Sequence, residues 1–191
     1  YKRQIDKFSK AIKHYHTVIK CNSKEDEAWF GLGACLFNQK KWLESSHFYT
    51  KATKLQSKNA KYWLSKAKSD YLVGNHVSSL EAYQTASELE PSNINIWLEW
   101  SYLFYEEKNI NEAKYIINNA LEVNPDNPEL LYRKTAYLIA QGDYKEAFSS
   151  LESAIILDFE KHTLLLEFFT ELSTQKALMK LIDQLKEGDV Q

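Results

Sequence analysis

The chain has 191 residues, with 24 basic against 26 acidic side chains and a formal net charge of -2. That length can bury a sizeable core, and only 5 glycines and 3 prolines argue against a turn-rich all-β protein and against a disordered one. The near-neutral charge gives no electrostatic case for nucleic acid or an anionic membrane surface, and no apolar run approaches the ~20 residues that span a bilayer.

Taken in chain order, residues 1–25 read as one amphipathic helix with Ile5, Phe8, Ile12, Tyr15 and Ile19 on one face. Seven basic and two acidic side chains leave that stretch at +5 and the remainder at -7, the pattern of a solvated basic face. The chain opens on Tyr1 rather than Met and reads as a piece of something longer. Residues 26–59, 60–93, 94–127 and 128–161 each predict two amphipathic helices of ~12–15 residues joined by a short turn. The turns stand at Asn38-Gln39-Lys40, Val73-Gly74-Asn75, Lys108-Asn109 and Gln141-Gly142-Asp143, with Gly74 and Gly142 suited to a left-handed helix end. Pro91 and Pro125, with their polar neighbours, end one pair and begin the next. Residues 162–191 read as a last, divergent pair, which makes about eleven helices and no strand.

A repeat of 34 residues underlies these elements. Trp29, Trp63 and Trp97 superpose at that shift, as do Ala52, Ala86, Ala120 and Ala154, and Pro91 with Pro125. Gly33, Ala67, Ser101 and Thr135 share one position on the first helices, and Ser45, Ser79, Ala113 and Ala147 share another on the second. Small side chains at both points let paired helices approach closely, and the tryptophans are expected in the core beside the crossing. A single pair cannot bury its apolar face alone, so neighbouring repeats must stack.

Spacing and residue types together resemble tetratricopeptide repeats, whose pattern is W-x2-L-G-x2-Y, then A-x3-F, then P over 34 residues. Trp29, Leu32, Gly33 and Ala52 carry it in repeat one, Trp63, Tyr83, Ala86 and Pro91 in repeat two, and Trp97, Ala120 and Pro125 in repeat three. Repeat four carries it as Leu131, Leu138, Gly142, Tyr144, Ala147, Leu151 and Ala154. The resemblance implies one domain over 1–191, an all-α right-handed superhelical solenoid of antiparallel helix pairs. Residues 1–25 would be the second helix of a truncated repeat. It further implies a non-catalytic scaffold that holds a peptide or helix of a partner protein in a concave groove lined by first helices. Carried over position by position, the groove comprises Phe30, Phe37, Lys61, Leu64, Lys68, Tyr71, Leu98, Tyr102, Tyr105 and Tyr132. Its charges, Lys61 and Lys68 against Glu27, Glu106 and Glu129, nearly cancel, so aromatic content is its distinctive feature.

Two departures stand out. Phe30, Ala34, Asn95 and Glu99 occupy positions where the subclass resembling a carboxylate clamp uses basic residues and asparagine, which disfavours capture of a chaperone tail. Lys66 and Asp70 replace an expected leucine and aromatic; four apart on one face, they predict a semi-exposed ion pair with Tyr71 and Leu72 packing beside it. Alternatives are an RNA-processing scaffold, because Trp97-Leu-Glu-Trp100 also resembles half-a-TPR repeats, and self-association through an open repeat end.

No catalytic constellation is visible. His14 and His16 are two apart on a helix, hence on different faces, and HExxH, CxxC, Gly-rich phosphate loops and G-x-S-x-G are absent. The expectation is no enzyme activity, no cofactor and no metal. Cys21 and Cys35 are too few for a disulfide framework and fit core or half-buried positions. The compartment stays open, with a cytoplasmic setting slightly favoured.

Overall fold

Helix follows helix through the computed structural model, which describes residues 2–169 and 172–188. Side chains are described from residue 7 to 169 and from 174 to 186, so Ile5 and Leu172 lie outside them. The elements are α1 (Lys2–Cys21), α2 (Asp26–Asn38), α3 (Trp42–Leu55), α4 (Ala60–Val73), α5 (His76–Leu89), α6 (Ile94–Glu106), α7 (Ile110–Val123), α8 (Pro128–Gln141), α9 (Tyr144–Leu157), a 3-10 turn (Phe159–His162), α10 (Thr163–Leu166) and α11 (Leu172–Gly188). Among the described residues there is no strand. The chain divides into two units, 1–91 with α1 to α5 and 92–191 with α6 to α11.

Within each pair the turn is set by one residue of positive φ. Lys40, Gly74, Lys108 and Gly142 are 34 apart and have φ of 60, 88, 62 and 86°. Glycine adopts that left-handed conformation freely, whereas a lysine carries a steric cost there. The Asn109, Asn127 and Asp143 side chains cap α7, α8 and α9, and Pro128 opens α8 where a missing N–H costs nothing.

In the first unit, α2 packs against α3 and α4 against α5 through the small-residue positions. Ser45 Oγ donates to the Gly33 carbonyl at 2.9 Å and Ser79 Oγ to that of Ala67 at 2.8 Å. These serines bring two helix backbones close and satisfy themselves in the dry contact. Around them Leu32, Ala52, Ala67, Ala82, Tyr83 and Ala86 are all but inaccessible.

Lys66 and Asp70 are not the semi-exposed pair that helical spacing suggests. Both are buried, with side chains 11% and 2% exposed. Lys66 Nζ donates to Asp70 Oδ2 at 2.5 Å and approaches Ser78 Oγ at 2.6 Å, Ser78 Oγ donates to Asp70 Oδ2 at 2.8 Å, and Ser46 donates to Asp70 Oδ1. Ser46 lies on α3 and Ser78 on α5, so one carboxylate ties three helices. Leu72, expected to pack beside the pair, is 42% exposed instead.

The tryptophan positions also differ from expectation. Trp97 is buried, but Trp29 and Trp63 are half-buried, and each donates its indole N–H to a carbonyl six residues upstream: Ser23 at 2.9 Å and Ser57 at 2.8 Å. They fill space at the helix crossing and hold the preceding inter-repeat turn. Cys21 is exposed rather than half-buried, while Cys35 is buried and its thiol pKa is pushed up by desolvation.

The second unit has a continuous core of Trp97, Ile116, Ile117, Leu130, Tyr132, Tyr137, Leu151 and Ile155, reached by Leu165, Leu178 and Ile182 from the C-terminal segment. The expected first helix of the last pair shrinks to the 3-10 turn and the single turn of α10. After α10 the chain turns, and Phe168 packs back onto α6 and α8.

Candidate functional site

Each unit carries its own cleft on the first-helix side. In the first, Phe8 and Tyr15 of α1, Phe30, Gly31 and Ala34 of α2 and Lys61 of α4 wall a space of about 490 Å³. The Phe30 ring stacks on Tyr62 at 4.6 Å and lies 5.3 Å from Tyr49, and Lys61 Nζ sits 5.0 Å above it. A Cβ at Gly31 would fall 2.3 Å from the Tyr15 ring, so the bare glycine is what lets Tyr15 lie on α2. Tyr62 donates its hydroxyl to Asp26 Oδ2 at 2.8 Å; burial first, then that bond, raises its pKa. Phe30 and Lys61 are thus brought together. Phe37, Leu64, Lys68 and Tyr71 are each partly buried and do not wall this cleft; Tyr71 meets His76 edge-on at 5.2 Å.

In the second unit, a cleft of about 490 Å³ opens among α6, α8 and the turn after α10. Leu98, Tyr102 and Tyr105 of α6 line it as the repeat register predicts. Tyr102 and Tyr105 stack at 6.1 Å, Tyr105 stacks on Tyr137 at 5.3 Å, and Phe168 meets Tyr105 edge-on at 5.2 Å. The Arg133 guanidinium of α8 covers Phe168 at 4.6 Å and Tyr102 at 5.7 Å, and donates to the Leu98 carbonyl at 3.4 Å. Tyr102 remains 42% exposed, and its pKa is raised chiefly by a hydrogen bond to Glu106 and then by burial. Burial is the main cause raising the pKa of Tyr105 and Tyr137.

Tyr132 is a correction. It is 1% exposed, its hydroxyl donates to the Asp158 carbonyl at 3.0 Å, and burial pushes its pKa up to about 12. No face of the ring is left for a ligand. Glu129, counted in the groove's charge balance, is taken by Lys161 at 2.6 Å.

Sequence reasoning missed Tyr15, Gly31, Arg133 and Phe168. A glycine in the middle of α2 was a usable signal, because mid-helix glycine is destabilising unless something must approach closely. Phe168 gave none, since its place depends on where the shortened last pair turns. Among the described residues no group of His, Cys, Asp or Glu could hold a metal ion, and no helix is long and apolar enough to cross a membrane.

Paired helices on a 34-residue period, crossing at small residues and turning at a left-handed residue, define a helix-hairpin repeat protein. Comparison with solved structures places the fold among the tetratricopeptide-repeat proteins. YrrB, described as a TPR protein with an unusual peptide-binding site, aligns at 17% identity over 85% of this chain and 84% of its own, with a TM-score of 0.63. MamA aligns at 15% identity over 85% and 88%, with a TM-score of 0.68. The C-terminal part of a TPR repeat-containing protein from Cytophaga hutchinsonii aligns at 12% identity over 98% and 77%, with a TM-score of 0.73. No protein-family model matches the chain, and no curated protein matches it.

Proposed function

We propose that this chain is a non-catalytic interaction scaffold that binds another protein by laying a segment of it along the first helices. The observation that carries the reading is Tyr102. A tyrosine 42% exposed, standing in a cleft among further aromatics, offers apolar area and a hydroxyl with few torsions to restrict. Phe30 under Lys61 is the corresponding anchor in the first unit. Phe37, Leu64, Lys68 and Tyr71 belong to the proposed contact set of the first unit, and Leu98 and Tyr105, without Tyr132, to that of the second. A peptide-binding site in YrrB, which has the same fold, agrees with this use of the architecture.

The test is site-specific photocrosslinking. A benzophenone side chain replaces Tyr102 in one variant and Phe148, on the exposed side of α9, in another. With extract from the source cells, a discrete protein adduct is expected from position 102 and not from 148. Equal yields, or adducts from 148 alone, would refute the groove reading.

A further inference from the structure

Away from the clefts, the two units carry opposite charge at the same places in the repeat. Residues 7–58, spanning α1 to α3 and the turn beyond, hold ten lysines against four carboxylates. Residues 110–162, from α7 to the end of the 3-10 turn, hold nine carboxylates against five cations. Lys20 of α1 and Lys54 of α3 share one position in the last turn of their helices, and Glu122 of α7 occupies it in the second unit. Four residues on, Lys24 and Lys58 share a turn position that Asp126 and Glu160 take in the second unit. All seven side chains are exposed, and none forms an ion pair among the described residues. Between them in the register, Glu88 of α5 begins the change of sign and is engaged by Gln84 at 2.9 Å. His16 lies 6.3 Å from Phe48, so α1 and α3 run side by side and their lysines form one patch. The 2.6 Å bond between Glu129 and Lys161 ties the turn of Asp126 to that of Glu160 and occupies the nearest cation.

From this register we infer that the lysine patch of the first unit binds the carboxylate patch of the second unit on another copy of this chain. The helix dipole by itself favours a lysine in the last turn, which accounts for Lys20 and Lys54. It disfavours a glutamate there, so Glu122 stands against its local preference. A complementary surface gives that charge a use. Such a contact joins unlike patches and is heterologous, and like units repel where unlike units attract. The formal net charge of -2 leaves whole copies little mutual repulsion to overcome. None of these residues walls either cleft, so copies can associate while the first-helix side stays open.

Sedimentation velocity on the full 191-residue chain, over a concentration series, tests this. Association is expected at about 50 mM salt and should be lost at about 500 mM, where exposed charges are screened. Two charge reversals, Lys54→Glu/Lys58→Glu and Glu122→Lys/Asp126→Lys, should each weaken self-association about tenfold or more, with helix content by circular dichroism unchanged. Mixed together, the two variants should associate again, because each then presents the charge the other lacks. Tyr102→Ala should associate as the unaltered chain does. A monomer at the lower salt, association that either reversal leaves intact, or a mixture that stays monomeric would overturn the inference.

Discussion

Replacing Asp70 by leucine should be among the most damaging single changes in the first unit. The carboxylate accepts from Lys66, Ser78 and Ser46, so its loss strands an ammonium whose side chain is 11% exposed and frees two hydroxyls. Deleting one partner of a buried pair costs about 3–5 kcal/mol. Ser78 Oγ remains 2.6 Å from Lys66 Nζ as an acceptor, which places the expectation near the lower end, about 3 kcal/mol. Lys66→Met is milder, about 2 kcal/mol, because Asp70 keeps two hydroxyl donors. The double variant buries no unpaired charge and should cost no more than the worse single. The cycle then yields a coupling of about 2 kcal/mol or more, against the 0–1 kcal/mol of an exposed pair. Urea unfolding followed by circular dichroism measures all four corners, at about 50 mM and about 500 mM salt, where surface pairs weaken and buried ones do not. A coupling under about 1 kcal/mol that vanishes at the higher salt would show the pair to be solvated and the reasoning wrong.

Lys40→Gly and Lys108→Gly should each stabilise the fold by about 0.5–1 kcal/mol, the relief of left-handed strain exceeding glycine's added unfolded entropy; a lower melting temperature in both would contradict that. Gly74→Ala should lose a similar amount by the same assay. Ala120→Leu, at a position with no accessible surface, should cost ~1–3 kcal/mol by overpacking, visible as a reduced urea midpoint. Alkaline titration should unfold the chain: burial pushes Tyr49 and Tyr132 from the ordinary 10.0 up to about 12. Below pH 10 both states hold the proton, and above it the unfolded chain releases protons that the folded one retains. Stability therefore falls as pH rises from 10 to about 12, and tyrosinate absorbance should rise together with loss of helix rather than ahead of it.

The helix pairs were legible because their cause is local and repeated. Small residues at Gly33, Ala67, Ser101 and Thr135, and glycines at 74 and 142, constrain each pair from within its own 34 residues. Lys40 and Lys108 show the limit of that reading. They adopt the glycine conformation because the repeat demands it, and propensity alone would not select them. Of the site, the α6 tyrosines followed from the register. What failed depended on contacts between repeats: Asp70 is buried because α3 and α5 close over it, and Tyr132 because Asp158 offers its carbonyl. Phe168 owes its place to the turn after α10, where the repeat pattern has already lapsed.

The indole N–H bonds of Trp29 and Trp63 give the array unequal seams. Each reaches back across a junction, to Ser23 and Ser57, and so fastens its repeat to the loop that precedes it. Phenylalanine at either site would keep much of the bulk and release the loop carbonyl to water. Repeat four has Leu131 at the same position, which has no such donor, and its start is secured by Asn127 capping the Leu130 N–H and by Pro128. Heating should therefore part the seams at different temperatures. Because the fasteners are themselves fluorophores, the emission of single-tryptophan variants would report which seam has opened.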